Sequence, residues 1–237
     1  MTRDWIAWHE AYNDPSSSLS QRRRVVVGFL RAAFDAAPTG PIRVLSLCSG
    51  DAMDMVTAAR DHPRRGDVRG VFVEFDADLA ERGQGNLHAA GIEAEMRCAD
   101  AGDTSVYAEA LPVDVLLLVG IFGNITNEDV FATIGAVPAL CGRGASVLWS
   151  RHRREPDLTP SIRAWFDEVG CSPVGFDSPG SGKFAVGHER FDFAPPGWLA
   201  PPGWLASLGS LGSPGSPVTP SSRQFPATLF RFTNDLW

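Results

Sequence analysis

An α/β fold is predicted for this 237-residue sequence: a doubly wound, mostly parallel sheet with helices on both faces. Three observations carry the prediction. Strand-like and helix-like runs alternate from Pro41 to Gly170, the pattern of βαβ units. The run Val113 to Val119 (VDVLLLV) is almost continuously apolar, as a strand covered on both faces requires. Third, Arg43 to Asp54 (RVLSLCSGDAMD) passes from an apolar strand through small residues into an acidic, helix-compatible run. The small residues matter because a ligand bound at such a corner approaches the backbone closely.

Each element follows from local signals. Trp5, Trp8, His9 and Tyr12 recur at helical steps and place an amphipathic helix at the start. Asp14-Pro15 ends it, and Ser18 or Ser20 caps a second helix over Gln21 to Ala37. Strands are expected at Ile42 to Leu47, Gly70 to Phe75, Glu93 to Arg97, Val113 to Val119 and Ala145 to Ser150. Helices are expected at Asp51 to Arg60, Asp78 to Ala90, Thr104 to Ala110, Glu128 to Leu140 and Pro160 to Gly170. Lys183 to Phe191 and Ala227 to Phe232 have no helix between them and are expected to pair antiparallel at the sheet edge. Between them, APPGWL occurs twice in succession, at Ala194 and Ala200, within a Gly/Pro/Ser-rich stretch. It reads either as a loop lengthened by duplication or as a lid carrying Trp198 and Trp204. One domain is therefore expected: a helical cap over 1–40, an α/β core over 41–193 and 224–237, and an insertion loop over 194–223.

Composition narrows the function classes. A formal net charge of -7 argues against a nucleic-acid partner. The longest apolar run is too short to span a bilayer, so no membrane partner is expected. The start, MTRDWIAWHE, lacks the apolar core of a signal peptide, and the expected location is the cytoplasm. Cys48, Cys98, Cys141 and Cys171 are widely spaced and read as small buried residues rather than as a metal site or disulfide framework.

The corner after the first strand does not suit a phosphate. A dinucleotide fingerprint places glycines at the first, third and sixth turn positions, which here hold Cys48, Gly50 and Met53. Asp51 and Asp54 would also oppose a pyrophosphate at the helix N-terminus, whereas they favour an amine or a sulfonium.

On these residues the chain resembles the class I S-adenosylmethionine-dependent methyltransferases. The family's first motif is an acid followed by glycines at every second position; the aligned residues here are Ser46, Cys48, Gly50 and Ala52. Glu74, ending VFVEF, stands where the family has an acid that accepts from both ribose hydroxyls, with Phe75 beside it. Asp100-Ala101 matches the adenine-edge position, with a helix cap as the alternative reading of Asp100. VDVLLLVGIFGNITNED resembles the fourth strand and its loop, which would turn Gly120, Phe122 and Asn124 toward the methyl donor. The resemblance spans Ile42 to Ser150. It implies a Rossmann-like, seven-stranded, mostly parallel sheet with a reversed last strand and S-adenosylmethionine as cofactor. Phe122-Gly123-Asn124 replaces the Asp/Asn-Pro-Pro-aromatic motif of enzymes acting on DNA or protein amides, so a small-molecule substrate methylated on O or N is expected.

Candidates for the acceptor side follow. His152, in SRHRR past the fifth strand, and His9 are the candidate general bases, with His188 a third. Trp8, Tyr12, Asn124 and Arg151 are candidate substrate contacts, although the aromatic residues and Trp149 equally suit packing. Arg151, Arg153 and Arg154 read either as a carboxylate or phosphate clamp or as a solvated turn; Arg22 to Arg24 invite the same two readings, with the solvated helix face preferred. Two other functions stay open: a binding protein or partner subunit that has lost turnover, and a nicotinamide-dependent oxidoreductase, which the turn spacing disfavours. Oligomeric state is not legible.

Overall fold

Seven strands make one sheet in the computed structural model, which describes residues 12, 14–178, 183–192 and 226–233. They are β1 (Ile42–Leu47), β2 (Val68–Glu74), β3 (Glu93–Cys98), β4 (Val113–Leu118), β5 (Cys141–His152), β6 (Cys171–Asp177) and β7 (Phe184–Phe191). Their order is β3-β2-β1-β4-β5-β7-β6. β1 pairs in parallel with β2 and β4, and β4 in parallel with β5, whereas β7 runs antiparallel between β5 and β6. The reversed strand and the doubly wound core agree with the expectation. The order changes direction between β1 and β4, which opens a crevice beyond their carboxyl ends.

The sequence of β4 shows why the sheet needs both faces covered. Leu116 and Leu118 pack on one side with Ile134, Val137, Ile162 and Phe166. Val115 and Leu117 pack on the other with Val26, Leu30, Phe34, Met55 and Leu87. Full burial of each such side chain is worth about 1.5–3 kcal/mol. Helices α1 (Ser18–Ala36), α2 (Met53–Ala59) and α3 (Ala77–Ala89) supply the second side, and α4 (Asn127–Leu140) and α5 (Thr159–Glu168) the first. Side chains cap three of these helices. Ser17 accepts from the Ser20 amide at 3.0 Å, Asp76 from those of Asp78 and Leu79, and Thr126 from that of Asp129. Ser17, rather than Ser18 or Ser20, is thus the cap of α1.

Several other expectations are corrected. Residues 104–110 form two 3-10 turns, Thr104–Val106 and Ala108–Ala110, not one α-helix. β5 is longer than expected at both ends. β6 was not anticipated, because Pro173 and Gly175 interrupt its pattern; it is an edge strand with an irregular register between those residues, where proline is tolerated. The strand partner of β7 is therefore β6 and not 227–232. That C-terminal segment instead crosses the carboxyl edge of the sheet as a strap. It touches Asp103 through Thr228 and Ile125 through Phe232 as isolated bridges. Helix α1 lies on a sheet face beside β7, with Phe29 tilted against His188 at 5.7 Å. The residues carrying Trp5, Trp8 and His9, and the whole 194–223 insertion, lie outside the described residues. None of the four cysteines forms a disulfide; Cys141 and Cys171 are buried as expected, Cys48 is half-buried and Cys98 is exposed.

Candidate functional site

The turn after β1 adopts an alternating conformation. Cys48, Gly50 and Ala52 all have left-handed backbones, with φ of 55°, 55° and 57°. Glycine reaches that region freely, whereas each residue with a Cβ loses about 1–2 kcal/mol there. Cys48 and Ala52 hold it because the surroundings fix the turn. The Ser49 amide donates to the Val73 carbonyl at 2.9 Å, and the Ser49 hydroxyl to the Ser46 carbonyl at 2.9 Å. Asn86 of α3 donates to the Asp51 carbonyl at 2.9 Å. A Cβ on Gly83 of α3 would stand 3.2 Å from the Gly50 carbonyl oxygen and displace the Met96 methyl, so glycine there eases the close approach of α3 to the turn.

Glu74, the last residue of β2, locks the turn from the other side. Its Oε2 accepts from the Gly50 amide at 2.7 Å, and its Oε1 from the amides of Phe75 and Asp76 at 2.9 and 3.0 Å. A carboxylate has about four acceptor sites, so three are taken and one remains, on Oε2. Burial pushes the Glu74 carboxyl above its ordinary range, and the three amides pull it back. Asp100 Oδ1 accepts from the Gly102 amide at 2.8 Å and shapes the turn after β3; it caps no helix.

These turns surround a cavity of about 1190 Å³ at the switch point. Ser46, Cys48, Gly50, Asp51, Asp54, Glu74, Phe75, Asp100, Ala101, Gly120, Asn124 and Tyr12 all line it. Phe75 is 78% exposed and presents its ring there. Burial, then the charges of Glu74 and Asp100, push the Cys48 thiol well up, so it stays protonated.

Other candidates lie elsewhere. Phe122 is fully buried and stacks toward Trp149 in the core instead of facing the cavity. Trp149 is itself core, donating to Glu189 Oε1 at 3.2 Å. Arg151 does not line the cavity; it donates to the Phe122 carbonyl and to Asn127 Oδ1 at 3.3 Å. Arg153 pairs with Asp157 at 2.9 Å, which leaves the clamp reading of that cluster without its second arginine. His152 packs behind Gly123, 2.9 Å from where a Cβ on that glycine would stand, and is not a cavity residue. Burial and the neighbouring Arg151 and Arg154 hold its imidazole below the usual value. His9 and Trp8 lie outside the described residues.

Two contributors differ from the preferred sequence readings. Arg22 and Arg23 line the cavity and are not a solvated face. Arg23 donates to Asp54 at 2.9 Å and lies over the Tyr12 ring at 3.8 Å, and Arg22 donates to the Tyr12 hydroxyl. Asp51 is 3.9 Å from Arg23, so the negative charge expected from Asp51 and Asp54 is partly compensated. The strap is the second contributor, through Thr228, Arg231, Phe232 and Thr233. It is fastened by Leu229 donating to the Gly102 carbonyl at 2.7 Å and Thr233 to that of Asn124 at 3.1 Å. The spacing of β3 and β4 from the strap in the sequence hides both contacts.

No helix among the described residues is long and apolar enough to cross a membrane. No protein-family model matches the chain, and no curated protein is similar to it in sequence. Solved structures do resemble it. An O-methyltransferase family protein from Burkholderia thailandensis superposes with a TM-score of 0.58 at 18% identity, over 74% of this chain and 57% of that one. The chain thus spans little more than half the length of that protein. An rRNA methylase from Streptococcus thermophilus gives 0.54 at 11% identity, over 71% and 95% of the two chains. The S-adenosylmethionine-dependent methyltransferase SibL gives 0.51 at 17% identity, over 78% and 62%. The sheet order, the reversed β7 and these superpositions together give the chain the Rossmann-like fold of the class I methyltransferases.

Proposed function

We propose that the protein is an S-adenosylmethionine-dependent methyltransferase that modifies O or N of a small molecule. One observation carries the reading: the left-handed alternation at Cys48, Gly50 and Ala52, tied to Glu74 through the Gly50 amide, stands in the wall of a cavity at the switch point. The donor set fits the cofactor. Carboxylates outnumber guanidiniums along the wall, which suits a sulfonium and opposes a pyrophosphate. The cavity exceeds the roughly 300–1,000 Å³ usual for a single small ligand, which suits a cofactor together with an acceptor.

When bound, S-adenosylmethionine supplies an electrophilic methyl group. The chain's residues supply position. Glu74 Oε2 keeps one acceptor site for a ribose hydroxyl, one fewer than the resemblance implies, while its other bonds hold the turn in shape. Asp100, beside Ala101, would accept from the adenine amine, and Phe75 would offer its ring to the base; all three line the cavity. Asp51 and Asp54 set negative charge near the sulfonium, moderated by Arg23. Asn124, held by its amide donating to the Gly120 carbonyl at 2.7 Å, lines the cavity and would meet the acceptor. The cytoplasm remains the proposed location, and the 1–40 cap and 194–223 insertion the proposed division of a single domain.

A crystal structure with S-adenosylhomocysteine tests the reading. Adenosine is expected within hydrogen-bonding distance of Glu74 and Asp100. Adenosine bound away from the Cys48–Ala52 turn would overturn it.

A further inference from the structure

Charge is divided unequally around the cavity. Its carboxylates, Asp51, Asp54, Glu74, Asp76, Asp100 and Asp103, come from the turns after β1, β2 and β3. The cavity's arginines come from two other elements, α1 and the strap. From α1, the Arg22 guanidinium nitrogens reach 4.0 Å from where a Cβ on Gly120 would stand. From the strap, the Arg231 backbone amide donates to Asp129 Oδ2 at 3.4 Å, which sets the Arg231 backbone by the start of α4, and its side chain lines the cavity.

Arg231 differs from the other two cavity arginines. Arg22 is engaged by the Tyr12 hydroxyl and Arg23 by Asp54. The Arg231 guanidinium has no hydrogen bond or ion pair among the described residues. Phe232, next along the strap, also lines the cavity and is 39% exposed. Its ring is held edge-on by the buried Phe230, with centroids 5.7 Å apart and planes at 85°. A part-exposed aromatic ring and an unengaged guanidinium thus line the same cavity, carried by a strap whose backbone is hydrogen-bonded at Gly102 and Asn124.

We propose that the acceptor is a small aromatic carboxylic acid, its carboxylate held by Arg231 and its ring packed on Phe232. The proposal rests on the methyltransferase reading and names the acceptor class for that site. A planar guanidinium takes a carboxylate through two parallel hydrogen bonds. One guanidinium balances one negative charge, while the surrounding carboxylates would repel the second charge of a phosphate monoester. The segregation leaves the sulfonium on the acidic side and the acceptor's anion on the basic side.

The test is calorimetric. Wild type and Arg231→Gln are each saturated with S-adenosylhomocysteine and titrated with the hydroxybenzoate isomers and their primary amides. At least one carboxylate is expected to bind wild type about tenfold or more tighter than its amide, the size of a charge-assisted hydrogen bond. Arg231→Gln is expected to erase that preference while binding S-adenosylhomocysteine as wild type does, and Arg231→Lys to restore part of it. Equal binding of acid and amide by wild type, or a preference that survives in Arg231→Gln, overturns the proposal alone. Failure of wild type to bind S-adenosylhomocysteine overturns the methyltransferase reading and the proposal with it.

Discussion

The two halves of the cavity are built by different means. The wall after β1 and β2 comes from residues within one βαβ unit, Cys48 to Ala52 and Glu74 to Asp76, joined by short backbone hydrogen bonds. The wall beyond β4 is assembled from the far ends of the chain: Tyr12, Arg22 and Arg23 from before β1, and Thr228 to Thr233 from after β7. The first half is a preset cradle whose shape depends on backbone conformation. The second is a set of side chains brought in by α1 and the strap. On the proposed reading the local wall takes the cofactor and the remote wall the acceptor, so the substrate can change without disturbing the cradle.

Glu74→Ala should break the cradle most. It removes the acceptor for the Gly50, Phe75 and Asp76 amides and should weaken S-adenosylmethionine binding by about 1.5–3 kcal/mol, measured by calorimetry. An unchanged affinity would take Glu74 out of the site. Gly102→Ala should disturb the other half. A Cβ there overlaps the Phe230 carbonyl oxygen and lies 3.1 Å from Asp100 Oδ1. The strap must shift, and stability should fall by about 1–3 kcal/mol in denaturant unfolding. Cys48→Gly is the opposite kind of change. Release of the left-handed strain, less the added freedom of glycine in the unfolded chain, should stabilise the protein by about 0.5–1 kcal/mol; a loss of stability would show that the Cys48 side chain packs for more than its backbone is strained.

The smallest effect is on pH. Burial raises the Glu74 carboxyl, so its negative charge is lost at a higher pH than for an ordinary glutamate. Affinity for the cationic cofactor should therefore be full above that raised value and fall as pH drops through it, by less than about 1.4 kcal/mol per pH unit. The same shift means that the folded state holds this proton more tightly than the unfolded chain. Glu74 thus contributes a stability that declines as pH rises from the unfolded value through the folded one. In Glu74→Gln both slopes should vanish; a slope in cofactor affinity that persists would assign it to another group.

The same local-versus-remote division decides what was legible in the sequence. β1, β2, β4 and β5 could be read because each carries its own hydrophobic run, β3 (EAEMRC) only from its place in the βαβ alternation, and the corner after β1 because its small residues are contiguous. Even there, the left-handed backbones at Cys48 and Ala52 were not legible, since neither residue favours them. Glu74 was found as a position; its bonds to Gly50 depend on a tertiary approach 24 residues apart. β6 was hidden by Pro173 and Gly175, which an edge strand tolerates. The strap was mistaken for a strand paired with β7. Its apolar run has the right period, but its partners, Gly102 and Asn124, lie more than a hundred residues away. Arg22 and Arg23 looked like a solvated face because their cavity partner Tyr12 and the Asp54 contact are also tertiary.

Whether the cradle holds an adenosyl sulfonium compound or a dinucleotide is tested most directly by parallel calorimetric titrations of the wild-type protein with S-adenosylhomocysteine and with NAD. Binding of S-adenosylhomocysteine at one per chain with micromolar affinity, lost in Glu74→Ala, and no heat with NAD is the predicted result. Binding of NAD with none of S-adenosylhomocysteine would contradict it.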